Sequence, residues 1–185
     1  MCEFVRPCVK TAIPGEKSRL IVEKDDNYMI TATKVFPIAI KKGSGIVLED
    51  EDGNVFYDFT SGVGVCNTGH CHPKVVKAIQ NQAQKLIHFA GTDYYYEPQA
   101  VLMERLAKIA PGNSKKRVFF TNSGAESVEA ALKLARYKTR RPQFLAFTGA
   151  FHGRTMGALS LTASRAVHKE GFQPTMPGVE HVPYA

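Results

Sequence analysis

The apolar positions of this chain change period near Pro73. Before it, GIVLEDEDGNVFYDFT (45–60) holds two β-rich runs about Asp52-Gly53, the strongest short-range hairpin signal. The first 35 or so residues are polar and irregular, with a short helix expected in EKSRLIVEKDDNYMI. Past Pro73, Val76, Ile79, Ala83, Leu86 and Ile87 recur at helical spacing, and Leu102, Leu106 and Ile109 do so after the turn-like DYYYEP. RVFFT (117–121) is short, aromatic and β-branched, the profile of a buried strand. It runs into NSGAESVEAALKLARYK, whose Val128, Ala131, Leu132 and Ala135 share one helical face. QFLAFT (143–148) is a second expected buried strand, GAFHGRTMGALSLT follows it, and VEHVPY ends the series. Strand, helix, strand, helix, strand predicts an α/β protein built on a parallel sheet.

Length, composition and charge refine this picture. At 185 residues and 44% hydrophobic, the chain can bury one core, giving one domain or a little more. It stops at Ala185, just after an expected strand, and so few strands and crossover helices would leave apolar edges open. We therefore read it as the N-terminal part of a larger protein, or a truncated product. No apolar run approaches the roughly 18 residues that span a bilayer, and MCEFVRPCVK lacks a signal peptide's apolar stretch. A cytoplasmic protein without a membrane partner is expected. Four cysteines with no regular framework suit a reducing compartment, as buried or idle thiols. The net charge of +7 would attract nucleic acid or an anionic small molecule. Its basic residues are scattered or in short clusters such as SKKR (114–117), without interleaved aromatics, which argues against nucleic acid.

Three stretches carry candidate chemistry. VCNTGHCHP (65–73) packs two cysteines and two histidines into nine positions, but zinc sites usually draw on two separated ligand pairs, and none lies downstream. We expect no metal there, and read His72-Pro73 as a helix start. In FFTNSGAESVEAA (119–131), Ser123, Gly124 and Ala125 stand at a strand-to-helix turn, where unpaired N–H groups and the helix dipole suit a phosphate. Local sequence alone favours a simpler role, with Ser123 capping the helix and Glu126 completing a capping box. In TGAFHGRT (148–155), Phe151 and His152 offer aromatic faces to a planar ring and Arg154 a fork for a carboxylate. Core packing for Phe151, a loop hydrogen bond for His152 and a surface ion pair for Arg154 account for the same residues equally well.

DFTSGVGVCNTGHCHPKVVKAI, FTNSGAESVEAALKLAR and GAFHGRTMGALSLT, in this order and spacing, resemble the N-terminal half of class III aminotransferases. These are the pyridoxal-phosphate family of 4-aminobutyrate, ornithine and acetylornithine aminotransferases, and some archaeal members racemise amino acids with the same cofactor. The resemblance covers almost everything from Pro37 to Tyr184. It implies the N-terminal part of a fold-type-I transferase: a mainly parallel sheet with flanking helices, preceded by a small β-containing region. Residues 1–70 would belong to the small domain and 71–185 to the first, incomplete part of the large one. It further implies that Ser123, Gly124 and Ala125 bind the phosphate of pyridoxal 5′-phosphate, with Phe151 and His152 at its ring. Val63 would line the substrate pocket and Arg154 would pair with a substrate carboxylate. Cys66 and Cys71 would be incidental. The partners implied are an amino donor, a 2-oxo acid and a second copy of the chain. The lysine that holds the cofactor covalently, and the acid beside the ring nitrogen, would lie beyond Ala185. Lys133, Lys115 and Lys116 stand in no suitable context, so no catalytic residue is assigned within these 185 residues. The alternatives are a racemase of the same family and a non-catalytic fragment.

Overall fold

The hairpin forms where turn chemistry demands it. In the computed structural model, which describes residues 4–30 and 34–185, Gly53 adopts φ +80° between β2 (Val47–Asp50) and β3 (Val55–Tyr57). Only glycine takes that conformation without steric cost. The strands pair antiparallel with Val47 opposite Tyr57 and Leu48 opposite Phe56. β1 (Ile40–Ser44), which hydrophobic pattern did not reveal because it reads Ile-Lys-Lys-Gly-Ser, adds an antiparallel edge to β2. The hairpin end is unusually polar inside. Asp50 and Asn54 are almost wholly buried and bond each other, while the Asn54 side chain also accepts the Lys10 and Thr11 N–H groups. Buried polar groups persist where each is satisfied in this way.

Chain contacts divide the molecule into two compact units, Met1–Tyr94 and Tyr95–Ala185. This division is a different property from the small-domain boundary at 70/71, which rests on the resemblance. In the first unit, α1 (Glu16–Tyr28) matches the expected short helix. Its orphan N–H groups at Lys17 and Ser18 are satisfied by the Asp52 carboxylate from the hairpin loop. α2 (Ser61–Gly64) is a single turn in which Ser61, Gly62, Val63 and Gly64 all have positive φ. For Ser61 and the β-branched Val63 that conformation costs about 1–2 kcal/mol each. α3 (Pro73–Ala83) begins as expected, with His72 at the N-cap and Pro73 in its first turn, and ends before Leu86 and Ile87. Cys66 and Cys71 are free, whereas Cys8 is disulfide-bonded, which corrects the reading of idle thiols at that position. Cys2 lies outside the described residues.

The second unit holds α4 (Glu97–Ile109), α5 (Gly124–Thr139), β4 (Phe144–Phe147), α6 (Met156–Leu161), a 3-10 turn at Ala166–His168 and β5 (Val179–Val182). β4 and β5 pair in parallel, Phe144 with Val179 through Phe147 with Val182, as the strand-helix-strand rhythm predicts, but only Ala146 of β4 is buried and Leu145 and Phe147 are exposed, so β4 is not the buried strand expected. The core joins Leu132 of α5, Ala146 of β4 and Leu161 of α6, with Val128, Phe144, Met176 and Val179 packed on it. Ala131, expected on the same helical face, is exposed instead. The strand expected at 117–121 does not form: no strand is assigned there and Phe119 is 79% exposed. A strand exists only as part of a ladder, and among the described residues no backbone pairs with 117–120.

Candidate functional site

β4 delivers the chain to Thr148, whose N–H still bonds Val182 O at 2.9 Å, and from there residues 149–155 turn across the carboxyl end of the strand pair. Ligands of open α/β sheets bind at that edge. Beside it stands the start of α5. Ser123 is its N-cap, and its hydroxyl accepts the Glu126 N–H at 3.2 Å. Glu126 reaches back to the Asn122 N–H at 2.7 Å, one residue further than in the usual capping box. Thr121 bonds both Ser123 O and the Ser127 hydroxyl. The N–H groups of Gly124 and Ala125 have no protein acceptor among the described residues. The cap expected from local sequence is therefore real, and it leaves the first-turn donors open. The cap does not use up the donors that an anion would need.

The two sequence-singled turns meet. A Cβ built on Gly153, whose φ is +131°, would lie 2.7 Å from Ala125 Cβ and 3.0 Å from Ala158 Cβ. Only a glycine lets the 149–155 turn sit this close against the first turn of α5. The Gly153 carbonyl and the His152 N–H are both held by the buried Thr162 hydroxyl, at 3.0 and 2.9 Å. Glu129, one turn further along α5, accepts the Thr155 hydroxyl at 2.6 Å and the Ala158 N–H at 3.1 Å, so it caps α6 from a neighbouring helix. The sequence pattern does not reveal Glu129, Thr155 and Thr162. Their bonds link residues 9 to 29 positions apart, and no local periodicity carries that information.

Thr155's hydroxyl holds the Glu129 carboxyl below its ordinary value, against an opposing effect of burial. A carboxyl with a depressed folded-state pKa contributes stability above its unfolded pKa and loses it as pH falls through the folded value. Glu129→Gln keeps the shape but gives up the charge-assisted bonds. We expect it to cost about 1 kcal/mol at neutral pH, and the difference from the parent to shrink below roughly pH 4.5. Denaturant unfolding at pH 7 and pH 3.5 measures both, and an equal difference at the two pH values would show that the Glu129 charge does nothing.

Phe151 is 52% exposed, which excludes the core-packing reading. Its ring meets the edge of His168 at 5.4 Å, and the Arg154 guanidinium stands 6.0 Å from its centroid. Arg154 makes no ion pair among the described residues, so its fork is uncommitted. Ser123, Gly124, Ala125, Phe151, His152 and Arg154 thus belong to one unit and line adjacent turns, whereas Val63 lies in the other unit, on α2, 93% exposed. Lys133 sits on the exposed side of α5, nine residues past Gly124 and so about 13.5 Å along the axis. It borders an open groove of about 780 Å³ with Phe119, Glu126 and Leu134. The His70 side chain of the VCNTGHCHP stretch bonds Asp58 at 2.7 Å.

Comparison with known proteins places the chain in a family. The family model described as "Aminotransferase class-III" matches residues 28–185. The chain is 47% identical over 159 residues to an acetylornithine aminotransferase of Methanopyrus kandleri, covering 86% of this chain and 40% of that protein. It is 38% identical over 187 residues to an alanine/serine racemase of Pyrococcus horikoshii, covering 100% of this chain and 39% of the other. Among solved structures, the ornithine aminotransferase of Toxoplasma gondii, described with partial occupancy of PLP at its active site, superposes with a TM-score of 0.79 at 28% identity, over 90% of this chain and 40% of that one. The chain therefore spans about 40% of the length of the relatives it matches, and it belongs to the class III aminotransferase family.

Proposed function

We propose that the protein containing this chain is a pyridoxal-phosphate-dependent aminotransferase. It moves an amino group from an amino acid or ω-amine of the 4-aminobutyrate or ornithine type to a 2-oxo acid. The observation that carries this reading is the close seating of Gly153 on Ala125, which brings an open helix N-terminus and an aromatic-Arg turn to one edge. The residues fit the cofactor. A side chain at Gly124 would meet no atom within 4 Å, so the space before the free first-turn N–H groups is open to a phosphate. Ser123, Gly124 and Ala125 would hold that phosphate, and Phe151 and His152 would flank the ring. When bound, pyridoxal phosphate supplies an aldehyde that captures amines and a ring that withdraws electrons. Arg154 would orient the substrate by its carboxylate, and Val63 would bound the space for the substrate's side chain. The partners are small molecules rather than nucleic acid or membrane, and we assign the whole protein to the cytoplasm as a homodimer. No helix among the described residues is long and apolar enough to cross a membrane. Exposed Phe59 and Ile87 of the first unit give a second copy apolar surface to cover.

The test is to incubate the full-length protein with pyridoxal phosphate, an amino donor and a 2-oxo acid, and to follow both nitrogen transfer and chirality. Transfer to the 2-oxo acid supports the proposal. Inversion of an L-amino acid without transfer would replace it with the racemase reading, which the likeness to the Pyrococcus horikoshii protein favours. Arg154→Ala is expected to raise KM for carboxylate-bearing donors about 10- to 100-fold, the loss of a charged hydrogen bond at about 1.5–3 kcal/mol. Amines without a carboxylate should be unaffected, and an equal loss for both classes would remove Arg154 from substrate binding.

A further inference from the structure

The left-handed turn α2 is held open by a clamp that the proposed chemistry does not use. Asp58 stands just before it, its side chain 5% exposed, and its Oδ1 accepts the Thr60 N–H at 2.8 Å, the Thr60 hydroxyl at 2.6 Å and the Ser61 N–H at 2.9 Å. Its Oδ2 bonds His70 Nε2 at 2.7 Å. Both partners are anchored at the same corner of the sheet. The Asp58 N–H bonds Ile46 O at 2.8 Å, and Gly45 and His70 exchange two backbone bonds of 2.8 and 2.9 Å. Gly69 makes that approach feasible, because a Cβ there would lie 3.0 Å from Gly45. The turn itself is closed by Gly64 N–H to Thr60 O and by the Val65 and Cys66 N–H groups to Ser61 O. Ser61 and Val63 would leave the left-handed region if released, because their side chains disfavour it. Strain of this kind persists only where surrounding bonds over-determine it, and it concentrates at functional elements.

We propose that Asp58 and His70 are positioning residues that lock α2 in its left-handed form, and thereby fix where Val63 presents its side chain to the amino donor. The locking rests on the bonds above; the donor clause rests on the aminotransferase reading. Val63 is flanked by two glycines with positive φ and is almost fully exposed, so the turn displays one apolar side chain on a rigid support. Such an element sets which donor side chains fit.

Cys66 reports on the lock directly. Its N–H closes the turn, its thiol lies 3.0 Å from where a Gly62 side chain would be, and it is only partly exposed. In the full-length protein, the rate of Cys66 alkylation by iodoacetamide, mapped by mass spectrometry, should rise at least tenfold in His70→Ala and in Asp58→Asn. His70→Gln, which keeps a donor for Asp58, should restore most of the protection. Should His70→Ala fail to fold, Asp58→Asn and His70→Gln carry the measurement. A Cys66 rate within twofold of the parent in Asp58→Asn overturns the lock. Val63→Gly separates the second clause: it should leave the Cys66 rate unchanged while altering the ratio of kcat/KM between bulky and small donors, as His70→Ala also should. An unlocked turn with unaltered donor preference would overturn the role of Val63. A protein that transaminates no donor would overturn the aminotransferase reading, with the Cys66 rates still deciding the lock.

Discussion

Gly153→Ala is expected to loosen the whole edge proposed to hold the cofactor. The new Cβ would lie 2.7 Å from Ala125 Cβ and 3.0 Å from Ala158 Cβ, and neither is the end of a flexible side chain that can swing aside. Overpacking of this kind costs about 1–3 kcal/mol, and a non-glycine residue at φ +131° adds about 1–3 kcal/mol more. Against a total stability of about 5–15 kcal/mol for a domain, either term is large. The variant can relieve the clash only by lifting the 149–155 turn off α5, which breaks the Thr162 bonds to Gly153 O and the His152 N–H. Phe151 and Arg154 move with it. In the full-length protein we expect a fall of about 2–6 kcal/mol in unfolding free energy by denaturant titration, accompanied by weaker pyridoxal phosphate binding. An unfolding midpoint equal to the parent's would mean that the two turns do not press together as described.

How far the sequence alone reaches depends on the range over which each feature is encoded. The hairpin about Asp52-Gly53, the N-cap at Ser123 and the helix start at His72-Pro73 are local, and each was legible because a turn or cap needs particular residues at fixed offsets. The parallel pairing of β4 with β5 followed from the alternation of periods. RVFFT has the composition of a strand yet is not one, because strand formation depends on a partner that composition does not reveal. β1 failed in the opposite sense, since Lys41 and Lys42 hide an edge strand that pairs on one side only. The residues that fasten the site, Glu129, Thr155 and Thr162, look like ordinary polar positions of a helix and a loop. Their roles exist only after folding brings them together. Asp58 and His70 are a sharper case, because the histidine invites a metal reading and its bond to Asp58 spans 12 positions.

Gly124→Val is the counterpart of Gly153→Ala, with the fold spared and the ligand affected. Gly124 is exposed, its φ is not positive, and a Cβ there meets no atom within 4 Å, so valine introduces no clash with the protein. The penalty of a β-branched residue in a first helical turn is small, a few tenths of a kcal/mol. The side chain would instead fill the space before the free N–H groups of the turn, where the phosphate of the cofactor is proposed to sit. Losing one or two charged hydrogen bonds at about 1.5–3 kcal/mol each should weaken pyridoxal phosphate binding on the order of 10- to 10,000-fold. Titration of the full-length apoprotein, followed by the cofactor's absorbance, gives the affinity, and thermal unfolding without cofactor gives the control. A melting temperature near the parent's together with the loss in affinity places the phosphate at Gly124. If the cofactor bound the valine variant as tightly as the parent, the α5 turn would revert to the plain helix cap that Ser123 and Glu126 already make.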